Sequence, residues 1–320
     1  MSLRRTGPPL FISEELELIA KDQYMSMLQA ADVNSAVLKI VDKKVGVTLK
    51  SHLEAKRPSI DELIKYVEKI YIRRLANLNS MNNEYVETII EISNAINAYT
   101  MLSCLSVKGK PCYLFMGPGL YESWLEGGEE EAIRLLRANS LYCALLERVE
   151  KEKVIELKDL AFQLKPVWEK ISVHASFPAR KLMGLLHDFM ILRFSLAYES
   201  YDFHDVPFSF LSREEAKNIH DGLKSDKLEL MQVLDKYIPM FSATYNDLLA
   251  LSTKATALDA SLLLRADSLS RDLVATPDEV NLRKYVLLLR EAFLLKLVLL
   301  ALASRVDRIG LMNIIGRWFD

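Results

Sequence analysis

Helix breakers are scarce in this chain. Glycine and proline account for 11 and 10 of its 320 residues, and they are bunched. No proline falls between Ser59 and Lys110, and no glycine between Leu223 and Ile309. Such stretches favour long helices over strands joined by tight turns. Alternating apolar and polar runs bounded by turn dipeptides are nearly missing, and only Pro111 to Met116 suggests a short extended piece. Charge of one sign is missing too: 41 basic and 43 acidic residues are interspersed, for a formal net charge of −2. No basic block points to nucleic acid, and no acidic tail is present. Cysteine is rare and odd in number, and Cys104, Cys112 and Cys143 form no CxxC pair. The expectation is a reducing compartment in which these thiols are buried or idle. Met1 to Arg5 is too short and too polar to read as a signal peptide, so none is expected. The longest apolar segment, Tyr285 to Ala303, is interrupted by Arg290, Glu291 and Lys296. It falls short of the ~20 apolar residues a bilayer span requires, so it is expected to be a helix buried in protein.

Half of the residues are hydrophobic and 26 % are charged, a balance that suits a globular chain with a sizeable core. The apolar positions recur at helical spacing. Ile60, Leu63, Ile64, Val67, Ile70 and Tyr71 form one stripe. Val86, Ile89, Ile90, Ile96 and Tyr99 form another, Leu135, Leu136, Tyr142, Leu145 and Val149 continue the pattern, and Leu182, Leu185, Leu186, Phe189 and Leu192 follow Pro178. Ser59 with Glu62 reads as a capping box. Thr276-Pro277-Asp278-Glu279 reads as a helix start, with a cap, a proline in the first turn and acids at the positive dipole end. The expected fold class is all-α, with helix in more than about 65 % of the residues, against the usual third.

The order of these elements repeats. Pro9-Leu10-Phe11-Ile12-Ser13-Glu14-Glu15 is echoed by Ser209-Phe210-Leu211-Ser212-Arg213-Glu214-Glu215. Val41-Asp42-Lys43-Lys44-Val45 is echoed by Leu234-Asp235-Lys236-Tyr237-Ile238. Phe115 to Leu120 opens a similar region between them, and a truncated version begins at Ile309-Gly310-Leu311-Met312. Long helices are expected before the later copies, at about Tyr85 to Val107, Arg180 to Ser200 and Pro277 to Arg305. The period is roughly a hundred residues, longer than that of ordinary solenoid repeats. Three similar units follow: 1–105, 106–200 and 201–320, with the first open to completion by C-terminal residues.

Motifs for chemistry are lacking. There is no phosphate-cradling GxxxxGK[ST], and Gly117-Pro118-Gly119 lacks the third glycine and preceding strand of a dinucleotide site. No HExxH, ExxH or GxSxG occurs. The densest polar cluster is Tyr201-Asp202-Phe203-His204-Asp205, together with His187-Asp188. Polar residues crowd at helix ends to cap them, and that is the plainer reading of this cluster. No catalytic, cofactor-binding or metal residue is therefore assigned, and no cofactor is expected.

Three passages carry a family resemblance. Glu91 to Leu102, then Val107 to Lys110, then Met116 to Leu125 form the first. His187 to Arg193, then Phe208 to Ile219, form the second. Tyr285 to Glu291, then Leu297 and Arg308 to Met312, form the third. In these passages the chain resembles the central-stalk C subunits of archaeal/vacuolar-type (A/V-type) rotary ATP synthases, the counterparts of the d subunits of vacuolar ATPases. That family has three helical units, each with a long helix bearing an acidic or amide residue, followed after a loop by a short helical segment. The family's arginine-rich core is absent here, with Asn97 and Lys296 near the positions where it would fall.

The resemblance implies a funnel of three units with approximate threefold pseudo-symmetry. It implies a non-catalytic subunit that couples the rotating shaft to the membrane rotor ring during proton or sodium transport and ATP synthesis. Its partners would be the central-shaft subunits and the rotor ring, with no nucleic acid and no membrane span of its own. It would be a monomer outside the complex and peripheral on the cytoplasmic face of the membrane. Partner-binding residues carry no sequence signature. Two rival readings remain open. One is an all-helical adaptor or scaffold, although its usual repeat of ~34–47 residues is missing. The other is a helical metal-dependent enzyme, which would need His187, Asp188, Asp202 and His204 to converge.

Overall fold

The computed structural model describes residues 17–79, 83–106, 114–152, 157–195, 209–225, 232–236, 241–249, 254–304 and 308–319, with Lys227 and Glu229. Of these, 86 % are helical and none is in a strand. The Phe11/Ser13 start, Cys112, Asp202 and His204 lie outside the described residues.

Among the described residues the α-helices, in chain order, are α1 (Lys21–Leu28), α2 (Val33–Val37), α3 (Lys44–Lys56), α4 (Ile60–Asn79), α5 (Glu84–Ser106), α6 (Leu120–Ala138) and α7 (Ser140–Glu152). They continue with α8 (Leu157–His174), α9 (Phe177–Ser195), α10 (Arg213–Ser225), α11 (Phe241–Leu249), α12 (Lys254–Ser270), α13 (Pro277–Ser304) and α14 (Arg308–Phe319). The start signals act as their chemistry requires. Ser59 N–H donates to Glu62 Oε2 at 2.8 Å and Glu62 N–H returns to Ser59 Oγ at 3.3 Å, a reciprocal box at the head of α4. The same pair of bonds joins Ser212 and Glu215 ahead of α10. At α13, Glu279 N–H donates to Thr276 Oγ1 at 3.2 Å, while Ala275 N–H donates to the Glu279 carboxylate at 2.7 Å. The second long helix begins at Phe177, ahead of the expected Arg180. Ser176 Oγ caps it through Ala179 N–H, and Pro178 falls in the first turn, where its missing N–H costs nothing.

Three long helices form the centre. Every residue from Leu182 to Leu192 of α9 is buried. In α13, 17 of 28 residues are buried, so the apolar segment around Tyr285 to Ala303 is a core helix surrounded by protein. No described helix is long and apolar enough to cross a membrane. Around the centre, α4 packs along α13, α8 along α5 and α12 along α9. Each helix that precedes a long helix thus packs on a different one: α4 leads into α5 but lies on α13. Helix α12 also contacts α13, and α5 contacts both other long helices. The N-terminal ends of the three are tied together. Asn83 Nδ2 donates to Asp278 Oδ1 at 2.8 Å, Ser176 N–H to Tyr85 OH at 3.2 Å, and Ser176 Oγ–H to Glu279 Oε1 at 2.6 Å. Nearly all buried apolar side chains join one hydrophobic cluster that runs from Ile19 to Trp318.

Two expectations need correction. The described part of the Pro111–Met116 segment, Leu114 to Met116, has no regular structure; its backbone is held by a side chain on α5 and not by a strand partner. Cys104 is one half of a disulfide, so it is not an idle thiol, and Cys143 is free. An odd cysteine count without a CxxC says nothing about which sulfurs the fold brings together.

Candidate functional site

Each long helix carries a buried side chain that grips the backbone of a distant segment. On α9, the Asp188 carboxylate accepts Ser209 N–H at 3.0 Å, Phe210 N–H at 2.8 Å and Leu211 N–H at 3.3 Å. Gly184, one turn earlier, permits the approach: a Cβ there would stand 2.3 Å from Ser209 Oγ and 3.1 Å from the Trp168 ring. On α5, Asn97 forms a reciprocal amide pair with Phe115, donating to its C=O at 2.8 Å and accepting its N–H at 2.7 Å. One turn away, Asn94 Oδ1 accepts Leu120 N–H at 2.9 Å. On α13, Glu291 accepts Ile19 N–H at 2.6 Å, Tyr71 OH at 2.5 Å and the Arg74 guanidinium at 3.2 Å. Buried backbone amides need partners, and an ionised carboxylate that gathers several of them is a strong one. Burial nevertheless dominates at Glu291 and pushes its pKa up, against the opposing pull of Tyr71, Arg74 and Ile19. The gripped segments lead directly into helices capped by Ser212, Gly119 and Ala20, each with a Glu or Gln three residues on. Near the N-terminus the helix entry so held is that at Ala20; the segment around Ser13 lies outside the described residues.

A cavity of about 290 Å³ opens between α4, α6, α9, α12, α13 and the segment Leu114 to Met116. Two ion pairs line it. Lys296 Nζ on α13 donates to Glu68 Oε1 on α4 at 2.5 Å, and Arg193 on α9 meets Asp259 on α12 at 3.1 Å. Each cation stands five residues beyond the gripping acid of its helix, Glu291 or Asp188. Tyr121 hydrogen-bonds Glu68, and its hydroxyl pKa is driven up by burial first and by the Glu68 charge second. Desolvation raises the pKa of Asp259, and Arg193 and Lys296 oppose the rise. Arg193 also lies over the Phe115 ring, 5.7 Å from its centroid. Phe115, Met116, Trp124, Phe293 and Leu300 supply an apolar lining.

The sequence cluster that could have held a metal is divided by this geometry. The Asp188 carboxylate is taken up by the 209–211 backbone, with His187 Nδ1 a further 2.9 Å away. The His187 ring stacks on Trp168 with centroids 5.1 Å apart. Asp202 and His204 lie outside the described residues. Among the described residues no group of three or more His, Cys, Asp or Glu is placed to hold a metal ion. Sequence reasoning missed Glu68, Arg193, Asp259 and Lys296. The one available signal was the five-residue spacing of acid and cation on two long helices. No model of a known protein family matches the chain, and no curated protein sequence does.

Proposed function

We propose that this chain is a non-catalytic coupling component of an A/V-type rotary ATPase, a helical socket that joins the rotating shaft to the membrane rotor ring. The observation that carries the reading is the repeated grip. Asp188, Asn94/Asn97 and Glu291, each on a central long helix, hold the backbone that leads into the next short helix. The third grip is closed by the opposite end of the chain, so the three form a cycle.

On this reading each unit begins with its long helix and ends with the helix that returns along it. The units are then α5 to α8, α9 to α12, and α13 joined to α1 to α4. These divisions fall near Asn83, Ser176 and Thr276, and on this reading the units are related by approximate threefold pseudo-symmetry. The tied N-terminal ends of α5, α9 and α13 form the narrow end of a funnel. The wide end of that funnel would then lie toward the C-terminal ends of α9 and α13, on the side of the cavity beside Arg193 and Lys296. A part that passes torque between two proteins must resist shear, and one continuous close-packed core with buried polar cross-links supplies that stiffness. The partners are the shaft subunits and the ring loops on the cytoplasmic face, and docking on polar loops weakens with salt.

The test is to mix the purified chain with shaft subunits and detergent-solubilised rotor ring from the same organism. Co-sedimentation with both at low salt supports the reading. Binding to neither, with all partners folded, removes it in favour of a helical adaptor.

A further inference from the structure

The cavity has features that torque transmission does not need. Its charged groups are unevenly satisfied. Glu68 is held by both Lys296 and Tyr121, whereas Asp259 has Arg193 as its ion-pair partner. The Arg193 Nε is buried and has no hydrogen-bond partner. A buried guanidinium with an unused N–H is costly unless something accepts it. Phe115, Met116, Trp124, Phe293 and Leu300 line the same cavity and offer apolar surface. At about 290 Å³ the space lies at the lower end of the ~300–1,000 Å³ typical of small-molecule sites.

One wall also carries a break. Gly128 (φ 69°, ψ −155°) breaks α6 between its cavity-lining start, which carries Tyr121 and Trp124, and its remainder. A Cβ at Gly128 would meet nothing within 4 Å.

We infer that the cavity binds a small amphipathic organic monoanion, a carboxylate or sulfonate head on an apolar body. The head accepts from Arg193 and Lys296, and the body lies against Phe115, Trp124 and Phe293. Arg193 is the principal contact because its Nε has no hydrogen-bond partner while its Nη1 holds Asp259. Asp259 competes with the ligand for the same guanidinium, and Glu68 stays locked by Tyr121. Such binding concerns the isolated chain and needs no partner protein, so it stands independently of the rotary reading.

The probe is dodecanoate, titrated calorimetrically into the intact chain, with dodecanol as the uncharged control of equal tail length. The expected result is one site per chain and at least tenfold weaker binding of dodecanol. Arg193→Met should weaken dodecanoate at least tenfold, since a charge-assisted bond is lost. Asp259→Asn should tighten it several-fold by freeing the guanidinium, a gain that no folding defect can mimic. Circular dichroism and thermal melting establish that each variant is folded. Absence of binding to the wild-type chain, equal affinity for dodecanol, or a folded Arg193→Met with unchanged affinity would overturn the assignment. Weaker binding by a folded Asp259→Asn would overturn the role given to Asp259.

Discussion

Glu291 and Ile19 stand 272 residues apart in the chain, yet the carboxylate of one accepts the backbone N–H of the other at 2.6 Å. The bond ties the C-terminal long helix to the entry of the first helix. Tyr71 and Arg74 of α4 converge on the same carboxylate, which makes Glu291 the seam of the fold. Nearby, Arg308 donates to the carbonyls of Leu28 and Ala30 at 3.4 and 2.7 Å, a second stitch across the seam.

Removing the seam carboxylate strands several buried donors. Glu291→Ala should cost about 3–5 kcal/mol, the range for breaking a buried charge-assisted network. Glu291→Gln keeps one acceptor but turns an amide N–H toward the remaining donors, and should cost less. Urea denaturation monitored by circular dichroism gives both values. Equal and small effects would show that the seam is held elsewhere.

The same residue sets a pH dependence. Burial raises the folded-state pKa of Glu291, and desolvation raises that of Asp259 in the same sense. Each acid therefore holds its proton to a higher pH in the folded chain than in the unfolded one. Their contribution to stability is full below the ordinary carboxylate range and is lost as pH rises through the folded-state values. Stability measured across that window should fall with rising pH. Glu291→Gln should flatten part of the slope, and Asp259→Asn a further part.

Asp188 and Gly184 act as one device, the acid gripping the 209–211 backbone and the glycine admitting it. Asp188→Asn leaves one acceptor oxygen for the three N–H donors and should cost about 2–4 kcal/mol. Gly184→Ala places a methyl group against Ser209 and Trp168 and should cost about 1–3 kcal/mol through overpacking. Hydrogen exchange offers a local readout: protection of the Phe210 and Leu211 amides should drop in both variants before global unfolding does. Unchanged protection would contradict the grip.

The Glu68–Lys296 pair tests whether these ion pairs add stability or serve the cavity. Lys296→Met alone leaves Glu68 in a nearly dry site and should destabilise the chain by about 3–5 kcal/mol. The double change Glu68→Leu/Lys296→Met should recover most of that loss, because a buried pair is often replaceable by apolar residues of similar volume. A double-mutant cycle supplies the coupling energy. If the double variant is as unstable as the single, the pair contributes net stability of its own.

Much of the fold was legible because its signals are local. Ser59 with Glu62, Ser212 with Glu215, and Thr276 with Glu279 mark helix starts through contacts three residues long. The scarcity of breakers marked α5 and α13 almost to their ends. The site was not legible, because it is made by contacts between distant segments. Arg290, Glu291 and Lys296 read in the sequence as interruptions of an apolar run, with nothing to say what each would pair with. In the fold Arg290 pairs with Asp267 at 2.8 Å, Glu291 holds the seam, and Lys296 holds Glu68. Ile19 and Ala20 gave no signal either, since a backbone amide can be gripped whatever side chain it bears. The disulfide of Cys104 was hidden for a similar reason, as spacing alone does not report distance in space.

The central claim is mechanical coupling, and ATP-driven ion pumping by a reconstituted rotary complex tests it most directly. On the proposed reading, complexes assembled with and without this chain should both hydrolyse ATP, because the chain is not their catalytic part. Only those that contain it should build an ion gradient, and Glu291→Ala should reduce pumping in proportion to the folded chain it leaves. Undiminished pumping in complexes that lack the chain would contradict the account.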